Sequence, residues 1–295
     1  LNQQTEQLSP LSSRPAYTET ENELTVKANK RTFIFSKKDG QLKGVSVDNR
    51  KISFANGPRF IGARRADRSL DQFYNHDDEK AKEKDRTYSE FPDAAVFTKL
   101  DVKEDGGNLV VTANYKLGNL DKAQWTINPS GELALDYTYN FSGVVDLMGI
   151  RFDYPEDQVI SKRWLGAGPY RVWQNRIHGT QYDVWENDYN DPIPGETFTY
   201  PEFKGYFGDV SWMNIQTKEG TISLTNETPD TYIGVYQPRD GRDRLLYTLP
   251  ESGISVLNVI PPVRNKVNST DLCGPSSQPK WVNGPQTGRV IFRFM

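Results

Sequence analysis

Residues 164–212 concentrate the side chains of this sequence that could do chemistry. The segment holds 12 aromatic residues in 49 positions, against 12% aromatic residues in the whole chain, with carboxylates, amides and guanidinium groups between them. Flat aromatic faces can stack on the C–H faces of a sugar, and the polar groups can bind its hydroxyls. The alternative is that the rings fill the core between two broad sheets while the acidic residues lie on turns. The composition of the segment leaves both interpretations open.

The start of this segment offers the most specific candidates. The stretch WLGAGPYRVWQNRIHG, residues 164–179, places aromatic and arginine side chains around a Gly-x-Gly-Pro turn. The same turn would also suit a corner of a β-sandwich, because glycine permits close backbone approach and proline fixes the exit from the turn. Within and just after this stretch, the candidate carbohydrate contacts are Trp164, Arg171, Trp173, Asn175 and Trp185.

The sequence does not indicate catalysis by this chain alone. Hydrolysis of a glycosidic bond needs two carboxylates roughly 5–10 Å apart, and among the 39 acidic residues the spacing selects no pair. The lone Cys273 excludes an intramolecular disulfide, and no cysteine–histidine cluster offers zinc ligands. His76 and His178 are the only histidines, so a histidine-based triad is nearly excluded. We therefore predict no catalytic residue, no metal and no cofactor.

Charge and hydrophobicity limit the partners. The net charge is −3 and the basic residues are spread along the chain, which argues against nucleic acid and against an anionic membrane surface. No apolar run approaches the roughly 18 residues of a membrane span. The chain begins with Leu1 and a polar stretch unlike a signal peptide, so we expect a piece of a larger protein rather than a processed terminus. The compartment stays open, with the periplasm or secretion favoured over the cytoplasm.

The pattern along the chain predicts an all-β protein. Residues 1–21 are polar and without periodicity, which is typical of a linker from a preceding domain. Short alternating segments separated by turns follow, and they predict one large antiparallel β-sandwich domain over residues 22–295. The charge-dense stretch Asp71–Glu90 is expected to be an exposed loop. Hairpin turns are expected at Lys38–Gly40, Asp105–Gly107 and Pro129–Gly131.

Several stretches resemble, in the same order, motifs of the fifth, C-terminal domain of glycoside hydrolase family 2 β-galactosidases. The stretch at 164–179 is similar to that domain's W-x-G-x-GP-x-E-x-Y-x-DR-x-x-G segment. The others are NKRTFIFSKKDGQLKGVSVDNRKI, GPRFIGARRADRSLDQF, YPEFKGYFGDVSWMNI and DLCGPSSQP. The resemblance covers roughly residues 24–295 and implies a β-supersandwich similar to galactose mutarotase.

The resemblance implies a non-catalytic domain of a multidomain enzyme. The family's two catalytic glutamates lie in a separate barrel, so no residue of this chain inherits either role. The family's domain supports that barrel, and a loop with the aromatic residue of its DSWGP motif leans over the active-site mouth. Here Cys273 stands at the position of that aromatic, and Trp281 is a candidate replacement that would bind carbohydrate. Arg171 and Val172 also depart from the family's Glu and Asn, which puts lactose-like specificity in doubt.

The partners implied by the resemblance are a β-galactoside-like carbohydrate and the preceding domains of the same polypeptide. Arg176, a donor of several hydrogen bonds, and Glu202 are candidate contacts to those domains. Two other functions stay open. The aromatic segment also fits an independent carbohydrate-binding module, and His178 could serve as the base of a mutarotase-like enzyme.

Overall fold

The structure is a computed structural model, and it describes residues 14–65, 88–188, 205–235, 249–262 and 274–295. Within these ranges the regular structure is almost entirely β-strand. The helical segments there are two single-turn 3-10 helices, Glu156–Gln158 and Pro275–Ser277. Across the same ranges, no helix has the length and apolar character needed to cross a membrane.

The described ranges contain twenty strands, numbered here in chain order: β1 Ala16–Glu19, β2 Glu23–Ala28, β3 Arg31–Ser36, β4 Leu42–Val47, β5 Arg50–Ile52, β6 Ala55–Arg65, β7 Tyr88–Glu90, β8 Val96–Asp105, β9 Asn108–Lys116, β10 Leu120–Ile127, β11 Leu133–Val145, β12 Leu147–Asp153, β13 Val159–Gly168, β14 Gln181–Asp188, β15 Phe207–Gly208, β16 Trp212–Thr217, β17 Gly220–Asn226, β18 Tyr232–Val235, β19 Ile254–Val259 and β20 Lys280–Phe294. These strands form two sheets.

The first sheet has 11 strands in the order β1-β2-β3-β4-β6-β12-β19-β18-β15, with β5 paired to β4 and β7 paired to β6. The second sheet has nine strands in the order β14-β13-β16-β17-β20-β11-β10-β9-β8. The pairings between these strands are antiparallel. The predicted fold class, a large antiparallel β-sandwich, is confirmed.

The core lies between the two sheets and is rich in aromatic rings. Trp125 of β10 and Phe152 of β12 belong to different sheets, and their ring centroids are 6.0 Å apart. Phe152 also packs edge-on against Phe292 of β20, with the centroids 5.4 Å apart. All three side chains are fully buried. Because alternate residues of a strand point to opposite faces, a strand such as β2 gives one row of apolar side chains, here Leu24 and Val26, to this interior.

The hairpin turns follow from local sequence. Gly106 and Gly107 have φ values of +58° and +89° between β8 and β9, the left-handed conformations that a two-residue hairpin turn requires. Turns also join β3 to β4 and β10 to β11. The three hairpin turns expected from the sequence are confirmed.

The sheet begins earlier than the sequence pattern indicated. The sequence predicts a linker over residues 1–21, but residues 16–19 form strand β1 and pair with β2 from Ala16↔Lys27 to Glu19↔Leu24. Every residue of β1 is exposed at the edge of the sheet, so this strand has no apolar alternation that the sequence could reveal. Residues 1–13, and positions 71–87 of the expected exposed loop, lie outside the described residues.

The turn between β3 and β4 gives the protein a pH-dependent contact. Burial by itself would raise the pKa of Asp39, but hydrogen bonds from Lys43, the Gln41 backbone and Ser36 outweigh it and lower the pKa below its ordinary value. Lys43 Nζ lies 2.9 Å from Asp39 Oδ2. A carboxylate with a lowered folded pKa adds stability above its unfolded pKa, and that stability is lost as the pH falls through the folded pKa.

We expect Asp39→Asn to lower the free energy of unfolding by about 0.5–1 kcal/mol at neutral pH, since the carboxylate is partly exposed. The difference from the wild type should shrink as the pH falls below about 4. Urea unfolding at several pH values measures both effects. Asp48→Asn is the matched control, because Asp48 lies 3.7 Å from Lys30 with half of its side chain exposed. Equal pH dependence in the two variants would contradict the prediction.

Candidate functional site

The turn predicted as a site connects two strands at one edge of the second sheet. β13 and β14 pair antiparallel, with Trp164 directly opposite Trp185. The chain leaves β13 through a cis peptide bond between Gly168 and Pro169 and returns in β14 at Gln181. β14 is the edge strand, so the turn and one side of this hairpin lie at the margin of the sandwich.

Trp164 lies in the core and not on a sugar-facing surface. Its side chain is 0% exposed, and its ring packs edge-on against Phe207 with the centroids 4.9 Å apart. The indole Nε1 donates a hydrogen bond to the Ala167 carbonyl at 3.0 Å. A ring with no exposed face has no surface for a sugar to stack on. In this structure Trp164 packs in the core and presents no surface to a carbohydrate.

Arg171 and Trp173 are also buried. Trp173 packs edge-on against Tyr206, with the centroids 5.7 Å apart. The Arg171 guanidinium lies 5.7 Å from the centroid of the Phe207 ring, and Lys162 Nζ approaches the same ring at 6.0 Å. Buried cations beside an aromatic ring are stabilised by its quadrupole. Neither candidate presents its side chain to solvent, because the turn folds back onto the end of the sandwich.

The other two candidate tryptophans, Trp185 and Trp281, differ in exposure. Trp185 is half-buried, and its Nε1 donates to the Gln181 carbonyl at 3.2 Å. Its ring fills the space beside Gly168, where an added Cβ would lie 2.3 Å from it, and this explains the glycine there. Trp281 is 72% exposed on β20, opposite Val144 of β11. Of the four candidate tryptophans, Trp281 offers the largest open face for stacking.

The end of the turn is tied to the segment just before β20. Gln174 Nε2 donates to the Gln278 carbonyl at 2.7 Å, and the Gln174 backbone N–H donates to the Pro261 carbonyl at 3.0 Å. Asn175 Nδ2 lies 3.5 Å from Ser277 Oγ. The two stretches that contain the Gly-Pro motifs of the sequence therefore meet in space, although about a hundred residues separate them.

Two of the remaining predicted residues, Arg176 and His178, are exposed on the turn. The Arg176 backbone exchanges hydrogen bonds with that of Trp173. The His178 carbonyl accepts a hydrogen bond from the Tyr170 hydroxyl at 3.3 Å. Glu202, Cys273 and His76 lie outside the described residues. In the described part of the chain, no group of three or more His, Cys, Asp or Glu is placed to hold a metal ion.

One pocket of the described structure was not anticipated from the sequence. It lies beside β20, has a volume of about 780 Å³, and is called the fork pocket here. Its residues come from β10, β11, β19, β20 and the loop after β17, so no local spacing could have revealed it. It is lined by Lys122, Asp136, Tyr137, Thr138, Glu227, Thr228, Pro229, Asp230, Asn258, Pro285, Gln286, Thr287, Gly288 and Arg289.

Comparison with known proteins gives one family and distant structural similarities. A family model described as β-galactosidase small chain matches residues 27–261. No curated protein sequence shows a significant match. A galactose 1-epimerase from Lactobacillus acidophilus NCFM is 10% identical, with a TM-score of 0.46 and coverage of 96% of this chain and 99% of that one. An aldose epimerase homologue from C. elegans is 7% identical, with a TM-score of 0.43 and coverage of 95% and 99%.

Proposed function

This chain belongs to the β-galactosidase small chain family, and from that membership we propose that it serves a β-galactosidase as a non-catalytic domain. In this proposal another domain, the barrel, supplies the acid and the nucleophile. The present domain supports the barrel and contributes to carbohydrate binding at the mouth of its active site. The preceding domains of the same polypeptide and a β-galactoside-like carbohydrate are then its partners.

The contact between the turn and the segment before β20 supports this proposal most directly. Gln174 is buried and reaches the Gln278 carbonyl, so it holds the stretch that begins at Gly274 against the end of the sandwich. A loop that contributes to a substrate site must be held in position by the scaffold beneath it. Arg176, exposed on the same turn, is available to bind the neighbouring domain.

The test uses the whole β-galactosidase that carries this chain, with nitrophenyl β-galactoside as substrate. We expect Gln174→Met, which keeps the size of the side chain but removes its amide, to raise KM about tenfold, with a smaller change in kcat. The physical reason is that the loop loses its anchor while the catalytic groups of the barrel stay in place.

Gln124→Met is the matched control, because Gln124 lies on β10, far along the sheet from the turn. Equal KM values for the two variants would contradict the proposed role of the turn. Absence of β-galactoside hydrolysis by the whole protein would contradict the function itself.

An independent carbohydrate-binding module is the second candidate, and the exposure of Trp281 favours it. An aromatic ring that is 72% exposed on a strand is a suitable platform for stacking on a sugar. This function predicts saturable sugar binding that needs no other domain and that Trp281→Ala abolishes. In the leading proposal the sugar contact at the turn forms where the barrel and this domain meet, so that contact needs both domains.

A further inference from the structure

The fork pocket exists because two neighbouring strands of the second sheet separate. β20 pairs with β11 from Lys280 to Phe292, but it pairs with β17 only from Val290 to Phe294. Before Val290, no described strand pairs with the other edge of β20. β17 ends at Asn226, and the loop that follows it leads away from β20. The pocket lies between this loop and the unpaired edge of β20.

The pocket wraps around that free edge and reaches both faces of the sheet. Gln286 and Thr287 both line it, and as neighbours in a strand they point to opposite faces. On the inner side, Asn258 of β19 comes from the other sheet. Backbone groups of the strand edge and side chains of both sheets are therefore available to a single ligand.

An ionic cluster fixes one wall of the pocket in advance. Arg289 NH1 lies 2.5 Å from Asp136 Oδ2, and its Nε lies 2.9 Å from Glu227 Oε2. Thr228 Oγ1 accepts a hydrogen bond from the Arg289 backbone N–H at 2.7 Å and donates to its carbonyl at 3.1 Å. The loop after β17 is thus tied to β20, and the wall needs no rearrangement to meet a ligand.

Several polar groups in the pocket keep hydrogen-bonding capacity. The side chains of Thr138, Gln286 and Thr287 make no hydrogen bond within the described structure. Asn258 Oδ1 accepts a hydrogen bond from the Tyr139 hydroxyl at 2.6 Å, which leaves its Nδ2 free to donate. Hydroxyls and amides in this mixture can both donate and accept, as the hydroxyls of a sugar do.

The charges of the pocket disfavour an anionic ligand. Asp136 and Glu227 offset the charge of Arg289, and the remaining ionic groups, Lys122 and Asp230, have opposite signs. The lining holds three carboxylates and two basic groups, so its formal net charge is −1 and it repels an anion, while two of the carboxylates are already paired with Arg289. The proline rings of the lining add flat aliphatic surface for the C–H faces of a ligand. The volume falls within the roughly 300–1,000 Å³ typical of ligand pockets.

The geometry points to the fork pocket as a binding site for a neutral carbohydrate, separate from the turn at 164–179. The inference goes beyond the proposed function, whose carbohydrate contact lies at the mouth of the active site, and adds a second sugar site among hydroxyl- and amide-bearing side chains of two sheets. It does not require a bound sugar to be hydrolysed there.

Calorimetric titration of the whole protein with lactose and with methyl β-galactoside tests the site. The catalytic site is first saturated with a tight galactosidase inhibitor, so that only a second site gives heat. We expect saturable binding by the wild type. Thr287→Val and Gln286→Leu, which keep the size of the side chain, should each weaken it about tenfold. Thr126→Val on β10 lies outside the pocket lining and is the matched control.

Thermal unfolding of each variant shows that the fold is intact. Absence of saturable binding by the wild type, or unchanged affinity in both pocket variants, overturns the inference. In that case hydrolysis of nitrophenyl β-galactoside still decides the proposed function separately. Loss of sugar binding in the pocket variants of a protein that hydrolyses no β-galactoside would support the fork pocket and reject the proposed function.

Discussion

Trp164→Ala is expected to lower the free energy of unfolding by about 3–5 kcal/mol. The side chain is fully buried on β13, and its indole makes both a ring contact with Phe207 and a hydrogen bond to the Ala167 carbonyl. Its removal leaves a cavity between the strands that the surrounding backbone cannot fill. Chemical denaturation followed by circular dichroism measures the loss.

Trp281→Ala is the matched control for this prediction, because the same residue type is 72% exposed on β20. We expect it to change stability by less than about 1 kcal/mol. Comparing the stability of the two variants thereby distinguishes a tryptophan that packs in the core from one that lies on the surface. A loss of stability at Trp281 as large as that at Trp164 would contradict the burial described for both residues.

Gly149→Ala is expected to destabilise the protein by about 3 kcal/mol or more, because a single added carbon would strike backbone. Gly149 lies on β12, where an ideal Cβ would approach the Val256 carbonyl oxygen at 2.1 Å and Leu257 Cα at 2.7 Å. Both contacts are with β19, the paired strand, so the two strands would have to move apart. The midpoint of thermal unfolding and the urea midpoint should both fall.

Gly44→Ala is the control for a glycine in the same sheet. Its added Cβ would have Ile34 Cδ1 at 4.0 Å as its nearest contact, which is ordinary van der Waals distance. We expect an unchanged or slightly raised stability, by about 0.5 kcal/mol, because alanine loses less backbone entropy on folding. If Gly149→Ala is as stable as Gly44→Ala, the close approach of β12 and β19 is refuted.

Local signals made much of the fold predictable from the sequence. A two-residue turn such as Gly106–Gly107 depends on residue types at adjacent positions, and alternating apolar residues reveal which face of a strand is buried. Strand β1 was missed because all of it is exposed at a sheet edge. A strand without a buried face has no alternation of apolar and polar residues by which the sequence could reveal it.

The site was less predictable, because burial of an aromatic residue depends on a distant partner. Trp164 and Trp173 are covered by Phe207 and Tyr206, and nothing at the tryptophan positions themselves distinguishes a core ring from an exposed one. Trp281 sits in a similar local sequence but on a face that no described element covers. The fork pocket depends on where β17 and β20 separate, which is set by tertiary pairing and not by local sequence.

The position of β20 has a consequence for the order of folding. Strands β8–β11 and strands β16–β17 can pair between chain neighbours, but β20 lies between these two groups and pairs with residues far away in sequence. Such non-local pairing is slow, since chain entropy must be lost before the contacts form. Until β20 pairs with them, β11 and β17 each have an unpaired edge to which a strand of another chain could pair. The yield of native protein is therefore expected to depend on how quickly this last strand is inserted.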